Sequence, residues 1–250
     1  MDPEKLWEWM EKYEAKTGGK LLAIPHNGNL SNGRMFEETT FSGGPLSKAY
    51  AETRQKWEPL FELTQTKGQS ESHPALSPTD EFAGWDLWDR GNLNGTAKKP
   101  DMLRTEYWRE ALKSGLRLEA SLGTNPFKYG ANAATDTHTA LATADEDNFW
   151  GKFVGAEPSA KRWKPVMIGA GQPGQIYSWE QAASGYTGVW ATSNSRAALF
   201  DAMKRRETFA TSGPRMSVRF YGGFDFSDAD TADLVKAGYS KGVPMGGDLK

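Results

Sequence analysis

The chain has 250 residues, 30 Lys and Arg against 32 Asp and Glu, a formal net charge of -2, and no cysteine. The even charge balance, with no run of either sign, argues against the basic face that nucleic-acid binding needs, and the lack of cysteine excludes disulfides and thiolate metal sites. The longest apolar stretches are too short to cross a bilayer, while the length suits an α/β domain with a sizeable core, in which the 10 tryptophans read mainly as packing residues.

The first element is a helix over residues 3–16, with Asp2 as cap, Pro3 in the first turn, and Leu6, Met10 and Tyr13 as a stripe beside Trp7. Gly18-Gly19 ends it, and Leu21-Leu22-Ala23-Ile24 reads as a short buried strand broken at Pro25. Leu46, Ala49, Tyr50 and Trp57 mark a second helix that stops near Pro59, followed by a strand over residues 60–65. Residues 74–100 are rich in loop formers. A third helix is predicted over residues 103–118 and a buried strand over 127–134. Further on, residues 187–191 predict a strand, Asn194 or Ser195 caps a helix carrying Ala198, Leu199, Ala202 and Met203, and residues 208–211 predict another strand. Met216, Val218 and Phe220 alternate with Ser217, Arg219 and Tyr221, the pattern of a half-buried strand. Helices alternating with strands imply a mainly parallel sheet, whose sites form at the carboxyl ends of strands.

All three histidines lie in short polar motifs: Pro25-His26-Asn27-Gly28-Asn29, Glu71-Ser72-His73-Pro74 and Thr135-Asp136-Thr137-His138-Thr139. Carboxylate-x-His thus occurs twice, and in extended backbone residues i and i+2 share a face, so each pair presents an oxygen and a nitrogen to one ion. That donor set suits zinc, manganese or iron. Each motif follows an expected strand, which places His26, Asp136 and His138 on one rim. The plainer alternatives are a strand-end turn for Asp136/His138, a loop histidine hydrogen-bonded by Asn27 or Asn29 for His26, and a solvated loop for Glu71/His73. Glu62 is either a further ligand or the partner of a basic residue. Asp145-Glu146-Asp147 is a solvated loop, a holder of Lys152 or a substrate contact. Arg215 either clamps an anionic substrate group or is an exposed strand-start residue. Phosphate loop, nucleophile elbow and dinucleotide fingerprint are all missing; Gly169-Ala170-Gly171-Gln172-Pro173-Gly174 reads as a loop.

Residues 24–33, 67–74, 125–130, 135–139 and 146–152, with residues 208–215 and 242–249, together resemble the polymerase-and-histidinol-phosphatase (PHP) superfamily of metallohydrolases, in an uncharacterised bacterial branch. The resemblance implies an incomplete, distorted (βα)7 barrel of mainly parallel strands over residues 1–215, and the start of a C-terminal β-rich segment over 216–250. It implies two or three divalent metal ions at the strand-end rim. His26 matches the superfamily's isolated histidine motif and Asp136/His138 its closing Asp-x-His; Glu71 and His73 complete a second metal site or move protons. Superfamily members open with a His-x-His pair and an Asp-His motif that this chain lacks, so the chain reads as a fragment that holds metal weakly, and relatives of this kind are often exported or periplasmic. The implied chemistry is attack of metal-activated water on a phosphoester or related anionic small molecule. An amide or sulfate-ester hydrolase on the same metals is the competing enzyme, and a non-catalytic metal- or ligand-binding remnant is the competing class.

Overall fold

The structure, a computed structural model, describes residues 2–138, 152, 159–181, 185–212 and 214–249. Helix α1 (Pro3–Thr17) starts where Asp2 accepts a hydrogen bond from the Glu4 backbone N–H at 3.0 Å, and it stops at Gly18 in the left-handed conformation. Helix α2 (Lys48–Trp57) is capped by Ser47 and buries Tyr50, Arg54 and Trp57. Strand β1 (Leu60–Gln65) follows with every residue buried, as expected of a strand covered on both faces. The chain turns back through Thr66 and Lys67 into the short antiparallel β2 (Gly68–Gln69). Gly68 has φ +86°, and a Cβ there would meet Asp86 O at 2.7 Å, so this turn requires glycine.

Helix α3 (Trp108–Leu122) leads to β3 (Gly130–Ala133), which pairs in parallel with β1 from Leu60↔Gly130 to Thr64↔Ala133. The core lies between these helices and the sheet. Trp7 and Met10 of α1, Tyr50 and Trp57 of α2, and Phe61 and Leu63 of β1 pack with Phe36, Leu118, Phe127 and Tyr129. Phe36 meets the Phe61 ring edge-on at 4.9 Å.

The remaining sheets are two-stranded and antiparallel. β4 (Val166–Ile168) pairs with β5 (Ile176–Tyr177), and β6 (Tyr186–Val189) pairs with β7 (Thr208–Thr211) across α4 (Arg196–Lys204). β8 (Tyr221–Gly222) pairs with β9 (Val243–Pro244) across α5 (Leu234–Lys241). β6 and β7 reach β3 through side chains: Thr187 Oγ1 donates to Ala133 O and Thr208 Oγ1 to Ala131 O, each at 2.7 Å.

The expected (βα)7 barrel does not form. Its place is taken by one three-stranded sheet in the order β2-β1-β3 and three separate antiparallel pairs, with no closure among the described residues. The physical reasons are local. Residues 21–24 run beside β1, with Ala23 N donating to Trp57 O at 2.7 Å and Glu62 N to Pro25 O at 3.0 Å, but Pro25 has no N–H to extend a ladder. β6 is only half covered, so it lacks the two buried faces of a parallel barrel strand. The alternating residues 216–220 form no strand, because both faces are exposed: Met216 and Phe220 are 65% and 64% accessible. The third helix starts later than expected, since Glu106 turns inward to accept from Gly33 N and the residues before it form a tighter 3₁₀ turn (Pro100–Thr105). The C-terminal residues are joined to the rest of the chain by Lys128–Asp248 at 2.5 Å, by Arg206 Nε donating to Gly246 O at 3.0 Å, and by Tyr239 O–H donating to Glu207.

Two predictions test this packing. Phe61→Ala should lower stability by about 3–5 kcal/mol, the usual loss for truncating a fully buried phenylalanine, whereas Leu116→Ala, at a site 67% exposed, should stay within about 0.5 kcal/mol. Urea unfolding of both variants checks this; equal effects would misplace the core. The second concerns Lys98 and Glu106, an ion pair at 2.7 Å with side chains 4% and 0% exposed. Burial pushes the Glu106 carboxyl up and Lys98 opposes that shift. Lys98→Met should cost about 3–5 kcal/mol at neutral pH. A carboxyl with a raised folded pKa is best tolerated protonated, so the deficit should shrink as the pH falls from about 7 toward about 4, near the unfolded glutamate value. A deficit constant across that range would mean that Glu106 is not the group left exposed to the loss.

Candidate functional site

The site begins at the carboxyl ends of β1 and β3. The β1–β3 register shifts between Glu62 and Thr64, a bulge that inserts Leu63 into the core and leaves Glu62 and Gln65 on the opposite face. Gln65 Nε2 donates to Glu62 Oε2 at 2.8 Å and to Asn27 Oδ1 at 3.0 Å. The Asn27-Gly28-Asn29 turn anchors the β1–β2 hairpin: Asn29 Nδ2 donates to the Lys67 carbonyl at 2.9 Å, and Ser70 Oγ donates to Asn29 Oδ1 at 2.9 Å. Gly28 permits this approach, because a Cβ there would meet Glu106 O at 2.5 Å.

Held in this way, Lys67 points inward rather than into solvent. Its ammonium donates to Gln65 Oε1 and pairs with Asp136 Oδ2. Asp136, three residues beyond β3, has φ +51°, a left-handed conformation that turns its carboxylate back over the strand ends. Lys152 pairs with the same Oδ2 and donates to the Asp136 carbonyl. His138 completes the group: its backbone N–H donates to Lys152 O at 2.8 Å, and Nε2 lies 3.1 Å from Asp136 Oδ1 and 3.2 Å from Lys152 Nζ. His26 is exposed and lies near enough to act electrostatically on Glu62.

Electrostatics follow from crowding buried charge. Burial pushes the Glu62 carboxyl up, against the Gln65 hydrogen bond and the positive charge of His26, Lys67 and Lys152. Burial and the Lys152 ammonium pull Lys67 down to about 7. Burial brings Lys152 down to about 8. Burial and both lysines lower His138.

The other sequence candidates have different partners. Glu71 accepts from Arg109 Nη2 at 2.6 Å, and Arg109 also reaches Asp80 at 2.5 Å. Both Glu71 and Arg109 line an open cavity of about 480 Å³ together with Phe82, Trp85 and Thr211. His73 Nε2 lies 3.1 Å from Asp89 Oδ2, its ring packs 5.3 Å from Tyr107, and Nδ1 accepts from Ala75 N. Arg215 stacks 4.3 Å over the Tyr186 ring and donates to Thr211 Oγ1 at 3.3 Å. Asp145, Glu146 and Asp147 lie outside the described residues. Sequence reasoning did not single out Lys67 or Gln65, and named Asn27 only as a hydrogen-bond partner of His26. The one signal available was a lysine before glycine in a polar motif, and a turn lysine is ordinarily a solvated residue.

The class that emerges is a small α/β chain in which two buried lysines meet a carboxylate beside an exposed histidine at the ends of a parallel strand pair. Over residues 1–250 the sequence matches the family model described as a protein of unknown function (DUF3604), and the chain belongs to that family. No curated protein and no solved structure matches it. Among the described residues no helix is long and apolar enough to cross a membrane.

Proposed function

We propose that the chain is a metal-dependent hydrolase of a phosphoester or related anionic ester, the activity that its PHP-like motifs imply. The single observation that carries the proposal is the meeting of Asp136 and His138 just beyond the end of β3. Asp136 Oδ1 and His138 Nε2 are 3.1 Å apart, close to the separation of about 3.3 Å expected for two ligand atoms on a tetrahedral ion with bonds of about 2.0–2.1 Å. Carboxylate oxygens from Asp136 and Glu62 with imidazole nitrogens from His138 and His26 are the donors that zinc, manganese or iron takes. Among the described residues no three such groups stand together as one ligand set. Asp136 and His138 are therefore the residues that would hold an ion.

A divalent ion, when bound, supplies Lewis acidity and makes water more acidic. The chain's own residues supply the rest. Gln65 fixes the Glu62 carboxyl through its amide N–H, and burial raises that carboxyl toward the range in which it can hold and release a proton. The bulged strand and the Asn29 clamp keep this group rigid, which holds reacting groups in register. The proposal needs no closed barrel, only the one parallel strand pair.

Metal titration of the chelator-treated chain, read by calorimetry and elemental analysis, tests the assignment. Asp136→Ala and His138→Ala should each weaken zinc or manganese binding by at least about tenfold, the lower end of what losing even an outer-shell partner costs. Turnover of 4-nitrophenyl phosphate by the metal-loaded chain should fall to background in both variants. Unchanged metal affinity in both would overturn the assignment. Metal held by the parent chain with no turnover would favour the ligand-binding alternative.

A further inference from the structure

Beyond the metal reading, we infer that the open cavity beside the β1–β2 hairpin binds an uncharged sugar ring, with Phe82 and Trp85 as its aromatic wall and Glu71, Arg109 and Asp80 as its hydroxyl-binding wall. The cavity measures about 480 Å³, within the roughly 300–1,000 Å³ typical of small-molecule sites. None of Asp136, His138 and Glu62 lines it, so it is separate from the candidate metal pair. Its aromatic wall inverts ordinary packing. Ala83 is fully buried, whereas Phe82 and Trp85 on either side of it in the same turn are 72% and 58% exposed. Leaving two large rings in water forgoes apolar burial that a ligand would restore. The turn is nevertheless well held: Phe82 N donates to Asp80 Oδ1 at 2.9 Å, Trp85 N to Phe82 O at 3.0 Å, and Gln69 Nε2 to Ala83 O at 3.4 Å. Rings placed in advance lose less entropy when a ligand binds.

The polar wall fixes the chemistry of the ligand. Arg109 Nε and Nη2 donate to Glu71 Oε1 at 3.1 and 2.6 Å, and Nη1 donates to Asp80 Oδ2 at 2.5 Å. A guanidinium carries five N–H donors, so Arg109 keeps donors to spare, and Glu71 Oε2 accepts from no described residue. The Arg109 and Glu71 side chains are 39% and 42% exposed, which leaves these groups within reach of a ligand. A spare donor beside a spare acceptor suits neighbouring hydroxyls, one accepting from the guanidinium and the next donating to the carboxylate. Carboxylates on both sides of Arg109 disfavour an anion, and the guanidinium between them disfavours a cation. At the floor, Thr64 lines the cavity and is 3% exposed, and its hydroxyl has no hydrogen-bond partner among the described residues. A buried hydroxyl without a partner is costly, and a ligand hydroxyl supplies one. A pyranose meets both walls. Its C–H face lies against the negative faces of aromatic rings, and its hydroxyls take the polar groups.

The probes are four neutral disaccharides of pyranose rings: cellobiose, maltose, xylobiose and N,N′-diacetylchitobiose. Cyclohexanol, an apolar ring with a single hydroxyl, and benzoate, an aromatic anion, are the comparisons. Binding to the full 250-residue chain is read by ligand-observed NMR and calorimetry. At least one disaccharide should bind with a Kd of about 1 mM or tighter, and cyclohexanol and benzoate at least about tenfold more weakly. Phe82→Ala and Trp85→Ala should each weaken sugar binding about tenfold or more. Both positions are exposed, so urea unfolding of the two variants should match the parent chain, which separates lost binding from lost fold. Glu71→Gln keeps the side-chain size and should weaken sugar binding about fivefold or more. Zinc affinity should be the same in Trp85→Ala as in the parent chain, so the sugar site and the metal pair stand or fall separately. No disaccharide bound at about 10 mM, sugar binding undiminished in both aromatic variants, or cyclohexanol bound as tightly as the best disaccharide would each overturn the inference.

Discussion

The site depends on the parallel pairing of β1 with β3. That one pairing brings the end of a strand near residue 65 against the end of another near residue 133, and everything chemical in the chain hangs from those two ends. The pairing is fixed by burial: all six residues of β1 are covered, and Phe61 and Leu63 are locked into the aromatic core by Phe36, Phe127 and Tyr129. A one-residue slip would move Glu62 into that core. The bulge at Leu63 allows an apolar core face and a polar site face to coexist on one short strand, since it lets Glu62 and Gln65 emerge on the same side. The β1–β2 hairpin then carries Lys67 back over the strand end, and Asn29 and Ser70 hold the hairpin in place.

Three buried charge groups show how this molecule divides structural from chemical use of charge. Arg54 and Glu58 are 7% and 6% exposed and paired at 3.1 Å, with Glu58 also accepting from Trp7 Nε1 at 2.9 Å and Arg54 lying 4.9 Å over the Phe127 ring. Lys98 and Glu106 form a similar closed set, in which Lys98 also donates to the Asn29 carbonyl and Glu106 accepts from Gly33 N. In both, each charge has one opposite charge and further hydrogen bonds, the arrangement that offsets desolvation. The Asp136 group differs in composition: two lysines meet on one carboxylate oxygen, and burial disfavours the ordinary charge of both. Groups whose ionisation is strongly perturbed by burial cluster at functional sites.

Much of the local structure was legible in the sequence, and the limits have physical causes. The Asp2 and Ser195 caps, the Gly18 stop, β1 and β7 all follow from short-range chemistry and stand where the sequence places them. The larger architecture was not legible, because a barrel requires each strand to be buried on both faces and apolar composition alone does not reveal how many faces are covered. Met216, Val218 and Phe220 alternate as a half-buried strand would, yet among the described residues no neighbouring ladder covers either face. Within the site, the histidines and acids could be found by residue type and spacing. Lys152 was visible only as a possible partner of the acidic run 145–147, and Lys67 not at all, since the burial of Lys67 arises from contacts to Asn29, Gln65 and Asp136, which are distant in sequence or brought close only by the hairpin.

The two carboxylate-x-His pairs make the same point about spacing. Residues i and i+2 share a face only where the backbone between them is extended. In Asp136-Thr137-His138 the backbone is not extended, since Asp136 is left-handed, and its side chain meets the His138 ring through that turn. In Glu71-Ser72-His73 the backbone N–H groups of Glu71 and Ser72 both donate to Gln69 Oε1, at 2.6 and 3.0 Å, which turns the segment so that Glu71 faces Arg109 and His73 faces Asp89. One motif becomes an oxygen–nitrogen pair and the other two separate ion contacts, although their residue types and spacing are alike. The deciding term is where the neighbouring amides find their acceptors. A single glutamine side chain, Gln69, thus separates the two outcomes.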